Sequence, residues 1–80
     1  MSDSKEMLAF IAKSLVDDPD AVEVTQIDEG GGDIVLQLRV AQGDMGKVIG
    51  RQGRTAKDIR TVVRAASDGV GRIKVDIVDD

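Results

Sequence analysis

The chain has no cysteine, no histidine, no tryptophan and no tyrosine, and it has a single proline and a single phenylalanine among 80 residues. Each absence removes a class of chemistry. Without cysteine there is neither a disulfide nor a thiolate zinc site. Without histidine the commonest acid–base group and metal ligand is missing. With both absent, nothing remains that an adjacent base would activate as a nucleophile of the Cys–His type, and paired acid–base groups in a cleft are not legible. An enzyme is therefore not expected, nor is a cofactor. Glu23 and Asp76 are the nearest thing to a carboxylate pair, but both alternate with apolar residues in strand-like runs and should face solvent. No apolar run is long enough to cross a membrane, and the polar start, Met1 to Glu6, does not read as a secretory signal. The expected location is the cytoplasm, away from any membrane.

What is present is a charge imbalance within the chain. Overall the net charge is −4. Residues 46–66 hold six basic side chains (Lys47, Arg51, Arg54, Lys57, Arg60, Arg64) against one acid, Asp58, a local net of +5. The other 59 residues hold five basic and fourteen acidic side chains, a net of −9. A basic patch on an acidic body attracts an anion to one place and repels it elsewhere.

The patch contains the most informative segment, Gly46-Lys47-Val48-Ile49-Gly50-Arg51-Gln52-Gly53-Arg54. Two glycines three apart allow a tight turn and a close approach by another backbone. A helix is expected to start just past Gly53, with its unpaired N–H groups and positive dipole end directed at the turn. A phosphodiester fits such a gap, and Lys47, Arg51 and Arg54 supply positive charge to it.

Eighty residues make one domain, residues 1–80, with a thin core. A first helix is expected from about Ser4 to Val16, with Asp3 and Glu6 at capping-box spacing and with Met7, Leu8, Ile11 and Leu15 facing the core. Phe10, on the same helix, is expected in the core as well. Pro19 ends that helix before Asp17-Asp18-Pro19-Asp20, which lacks the ligand ladder of a calcium loop and reads as a solvated turn. Val22 and Val24 mark a first strand, and Ile34, Leu36, Leu38 and Val40 a second. Ile27 is out of phase with the first and marks a bulge or the strand's end. The glycine-rich Asp28–Asp33 segment between them reads as a hairpin loop; no helix follows it, so it is not a phosphate cradle. A short helix is expected at Asp44–Ile49, a longer one at Arg54–Ser67 closed by Asp68-Gly69-Val70-Gly71, and a last strand through Ile73, Val75 and Ile77.

At about 100° per residue, with Arg54 at zero, Ala56, Ile59, Val62, Val63 and Ala66 of the long helix lie between roughly 80° and 200° and should form core. Arg54, Lys57, Arg60 and Arg64 fall between roughly 240° and 360°. The order helix, strand, strand, helix, helix, strand predicts an α+β domain. Its first two strands pair as an antiparallel hairpin, and the third, reached by a helical crossover, lies parallel to the second. The result is a three-stranded mixed sheet with helices on one face.

The glycine motif is not a nucleotide P-loop, because Gly46-Lys47 is followed by Val48 and position 41 is Ala; nor is it a dinucleotide fingerprint, which needs a third glycine. Val48-Ile49-Gly50-Arg51-Gln52-Gly53 between two helices, with Ile59 six residues beyond the second glycine, resembles the KH family of RNA-binding domains, and the element order resembles the bacterial, type II arrangement. The segments at residues 15–22, 43–50 and 59–63 are similar to the small single-KH proteins of the KhpA (YlqC-like) family. That resemblance implies a non-enzymatic, cofactor-free RNA-binding protein. It also implies pairing with itself or with a larger KhpB-like KH protein, and a part in post-transcriptional control of cell elongation and division. It would put the RNA backbone on Gly50-Arg51-Gln52-Gly53, with Lys47, Val48, Ile49, Arg54 and Lys57 around it. Many loops of the family carry a basic residue where this chain has Gln52, which implies weaker hold on the backbone.

With no exposed aromatic expected, base stacking is weak, and bases are expected to rest on Val40, Val48 and Ile49. Single-stranded DNA is not distinguished from RNA by any residue here. For a dimer, the expected contacts are the long helix near Val63 and Ala66, or the Gly69–Gly71 end. The alternative function is a protein-interaction subunit in which the fold serves as a dimerisation surface and RNA contact is secondary.

Overall fold

A computed structural model describes residues 3–66 and 72–78, the Asp3 side chain excepted. Six elements follow in order: α1 (Asp3–Leu15), β1 (Glu23–Gly30), β2 (Asp33–Arg39), α2 (Met45–Ile49), α3 (Arg54–Ala65) and β3 (Ile73–Ile77). Single 3-10 turns at Pro19–Ala21, Gln42–Asp44 and Arg51–Gly53 connect them. The expected capping role of the Asp3 side chain and the helix end at residues 67–71 lie outside the described residues.

The sheet has the order β1-β2-β3, with β1 antiparallel and β3 parallel to the central β2. This is the mixed α+β sheet that the pattern predicts. The hairpin between β1 and β2 is tight: Gly30 pairs with Asp33, and Gly31 and Gly32 make the turn at φ 62° and 86°. Positive φ at both turn residues matches the twist of a two-residue hairpin. Ile27 neither ends the strand nor bulges it. It pairs with Val35 on the sheet face away from the helices, and the register shift comes later, between Asp28 and Gly30. Glu23 and Asp76 are exposed as expected.

On the other face β2 contributes Leu36 and Leu38 to the core, joined by Val40 just past its end, and β3 contributes Ile73 and Val75. The helices close it with Leu8, Ala12 and Val16, with Val48, and with Ile59 and Val63. The α1 contribution differs from the expected set. The buried stripe runs Ser4, Leu8, Ala12, Val16, a period of four, while Met7 and Leu15 stay 37% and 39% exposed. Phe10, expected in the core, is 71% exposed. On α3, Val62 is 46% exposed, whereas Val63 is fully buried and so unavailable as the expected dimer contact. Both helices carry a wider apolar arc than three strands can cover. The uncovered part of the two arcs meets in a groove of about 380 Å³ between α1 and α3, lined by Met7, Phe10, Ile11, Leu15, Thr55, Asp58, Ile59 and Val62.

Candidate nucleic-acid interface

The chain leaves β2 through Val40 and enters α2 by the Gln42–Asp44 turn. Helix α2 is only five residues long and ends because Gly50 takes φ 75°, ψ 177°, a region open to glycine and almost nothing else. The Gly50 N–H still donates to Gly46 O at 2.9 Å. Arg51–Gly53 then makes a single turn in which Gln52 (φ 58°, ψ 26°) and Gly53 (φ 75°, ψ 12°) are both left-handed. Gly53 donates back to Gly50 O at 3.3 Å, and α3 begins at Arg54. The N-cap residue of that helix is Gly53, which has no side chain to cap it.

The two glycines differ in what surrounds them. A Cβ on Gly50 would stand 2.2 Å from Thr55 Oγ1, 2.7 Å from Thr55 Cβ and 2.9 Å from Thr55 N. Gly50 is thus pressed against the first turn of α3. Gly53 has nothing within 4 Å of the same position. The turn is therefore fixed by contact at its first glycine and open at its second.

The expected site residues fall into three groups. Arg51, Gln52, Arg54 and Lys57 are exposed around the turn, and among the described residues no ion pair engages the three cations. Ile49 is 37% exposed beside them. Val48 and Val40, expected to support bases, are 0% and 4% exposed and belong to the core, so of that aliphatic trio only Ile49 faces outward. Val48 fills the single inner face of a five-residue helix, and Val40 continues the inward alternation of Leu36 and Leu38.

Lys47 is placed differently from the other cations. Its ammonium pairs with Asp17, from the turn after α1, and lies 3.3 Å from Asp44 Oδ1. Asp44 is itself buried, and its Oδ2 accepts the Asp18 N–H at 3.1 Å. Burial alone would raise the Asp44 carboxyl. Backbone hydrogen bonds from Asp18 and Asp17, with the hydrogen bond and charge of Lys47, outweigh it and hold the group below its ordinary 3.8. Lys47 is correspondingly raised above 10.5, chiefly by its hydrogen bond to Asp17, against the cost of desolvation. The segment after α1 is exposed, as the sequence suggests, and is also tied to the site through Asp17 and the Asp18 N–H. Its signal was the acidic run itself, thirty residues from the lysine it meets.

Further along α3, Arg60 is partly buried and its Nε donates to Val75 O at 3.1 Å, tying the helix to β3. The outward basic stripe and the apolar groove occupy opposite flanks of α3. Taking Arg54 at zero, Lys57 and Arg64 lie near 280–300°, while Thr55, Asp58 and Val62 lie at roughly 40–100°.

Comparison with known proteins agrees with this geometry. A family profile described as KhpA/KhpB, KH domain, matches residues 5–78. A protein of Clostridium acetobutylicum named RNA-binding protein KhpA is 59% identical over 63 residues, covering 79% of this chain and 83% of that protein. Namesakes in Leifsonia xyli (49% over 73 residues, 91% and 93% covered) and Chlamydia trachomatis (43% over 77 residues, 95% and 97% covered) match over more of the length. Among solved structures, Era of Aquifex aeolicus superposes with a TM-score of 0.64 at 19% identity, over 96% of this chain and 31% of its own, a likeness of fold alone. With a glycine turn locked against the following helix, a mixed αββααβ sheet behind it and sequence identity of this extent, the chain belongs to the KhpA/KhpB family of KH domains.

Proposed function

We propose that this chain is a non-enzymatic single-stranded RNA-binding protein that holds the RNA backbone at Gly50-Arg51-Gln52-Gly53. The observation that carries the reading is the turn itself. Gly50 is closed against Thr55, so the backbone of residues 51–53 stands outward at the start of α3. Arg51, Arg54 and Lys57 surround it in the exposed state. The relatives named RNA-binding proteins lend the nucleic acid its identity. A phosphate at the turn meets backbone N–H groups, a helix N-terminus and three cations together. Ile49 offers one aliphatic platform to a base, so single-copy binding is weak and loosely specific.

The chain works in this reading as one half of a pair, in the cytoplasm, and contributes to post-transcriptional control of cell elongation and division with a second copy or a KhpB-like partner. The α1–α3 groove supports the pairing. It is lined in part by Phe10, 71% exposed, an apolar surface that a second copy would cover. Lying on the flank of α3 opposite Lys57 and Arg64, it leaves both loops open to RNA. Two linked loops then gain by effective concentration.

Binding of a short single-stranded RNA is the test. With three to five phosphates neutralised, log K falls against log salt with a slope of roughly −2 to −3.5. The double change Arg51→Asp/Gln52→Asp abolishes binding while circular dichroism stays unchanged. A folded double variant that binds as its parent does removes the loop from the site. The exposed groove also favours the second reading, an interaction subunit. Nuclease treatment separates the two, since an interaction subunit keeps its partner when RNA is removed.

A further inference from the structure

Lys47 is the last basic residue before the glycine turn, yet its charge is already engaged. Its ammonium bridges Asp17, on the turn that follows α1, and Asp44, at the entry to α2. Asp44 completes the link by accepting the Asp18 N–H. Three side chains and one amide thus join two segments 26 to 30 residues apart in sequence. The cluster of two carboxylates and one ammonium carries a net −1 on the α1 side of the loop. For Lys47 to turn its ammonium wholly to a phosphate it would have to give up two carboxylates, one of them with a side chain only 6% exposed, leaving that buried group the Asp18 N–H but no counter-charge. The incoming phosphate would also approach both acids, and like charges repel over such distances.

We propose that Lys47 is a positioning residue and not a phosphate contact. With Asp17 and Asp44 it clasps the turn after α1 to the root of α2, fixing the height at which the Gly50–Gly53 loop stands. The clasp's residual negative charge then confines the RNA backbone to the other side of the loop, along Arg51, Arg54 and Lys57. The inference rests on the RNA reading above and divides its cations into those that touch phosphate and one that does not.

The test compares a charge-balanced double variant, Asp17→Asn/Lys47→Met, with Arg54→Met, using a fluorescent single-stranded RNA of eight nucleotides over a range of salt. Asp17 has a side chain 84% exposed and Lys47 one 42% exposed, and Asp44 keeps the Asp18 N–H as a partner, so the double variant is expected to fold, which circular dichroism checks. The double variant is expected to lose affinity through a loosened loop while its salt slope stays unchanged, whereas Arg54→Met makes the slope shallower by about 0.7, one single-strand phosphate contact. A double variant whose slope is shallower by that same amount overturns the proposal, because Lys47 then counts as a phosphate ligand. The second readout is amide hydrogen exchange at Asp18 in the single variant Lys47→Met, expected to accelerate at least tenfold as the clasp loosens. Unchanged exchange overturns the clasp. If the parent itself shows no salt-dependent RNA binding, the RNA reading falls separately, and the clasp is decided by Asp18 exchange alone.

Discussion

Among the described residues two turns are made from glycines at positive φ, and they differ in their surroundings. In the hairpin, Gly30, Gly31 and Gly32 take φ values of 85°, 62° and 86°; at the candidate site, Gly50 and Gly53 both take 75°. The backbone demand is similar, but the surroundings are not. A Cβ at Gly30 or Gly31 meets nothing within 4 Å, whereas one at Gly50 collides with both side chain and backbone of Thr55. The hairpin is flanked by Asp28, Glu29 and Asp33, the other turn by Arg51 and Arg54. The first glycine cluster lets a chain reverse direction. The second presses a turn onto a helix start and, in the proposed reading, offers it to a phosphate. Glycine content is therefore a poor guide to a phosphate site. What distinguishes the two is the element that follows and the sign of the neighbouring charge.

The comparison is broken most severely at Gly50. Gly50→Ala places a methyl within 3 Å of three Thr55 atoms and forces an L side chain into a glycine-only region. Strain and overpacking together are expected to cost ~3 kcal/mol. Urea denaturation of the parent and the variant measures it directly. A loss below about 1 kcal/mol, at the level of conformational strain alone, would show that Thr55 moves aside and that the turn is not held by contact.

A middle case lies three residues on. Gly53 has the same φ as Gly50 but a ψ of 12° and open space around it. Gly53→Ala is expected to cost ~1 kcal/mol, the penalty of a left-handed L residue without a clash. The same urea titration should rank it clearly between Gly50→Ala and the hairpin variants. Equality with Gly50→Ala would mean that the loop's cost is conformational throughout and that the contact with Thr55 adds nothing.

The sequence makes some of this visible and hides the rest for physical reasons. Strict alternation over Ile34, Leu36, Leu38 and Val40 identifies the central strand, and the Gly50–Gly53 spacing before a basic helix locates the turn. These are local patterns, imposed by backbone periods. The α1 face is less legible because its buried stripe uses Ser4 and Ala12, small residues that a search for large apolar side chains passes over. Met7, Phe10, Leu15 and Val62 look like core by composition, yet a three-stranded sheet is too narrow to cover them. Val48 and Ile49 are adjacent and chemically alike, and only the rotation of a short helix decides that one is buried and the other not. The engagement of Lys47 is hidden most completely. It depends on two segments far apart in sequence meeting in space, and no local period reports such a meeting.

The smallest effect is expected in the hairpin, and it sharpens the comparison from the other side. Gly31 has φ 62°, close to the left-handed minimum that Asn tolerates better than other side chains, and a Cβ there would project into open space. Gly31→Asn retains the turn chemistry of a two-residue hairpin and lowers the entropy of the unfolded chain, so gain and strain nearly cancel. The expected change is within about 0.5 kcal/mol of the parent, and RNA binding should not move at all. A loss above about 1 kcal/mol would show that the hairpin glycines, like Gly50, are held by their surroundings. A change in RNA affinity at constant stability would show that this acidic end of the sheet reaches the bound strand, and the two turns would then share a function that the proposed reading gives to one of them.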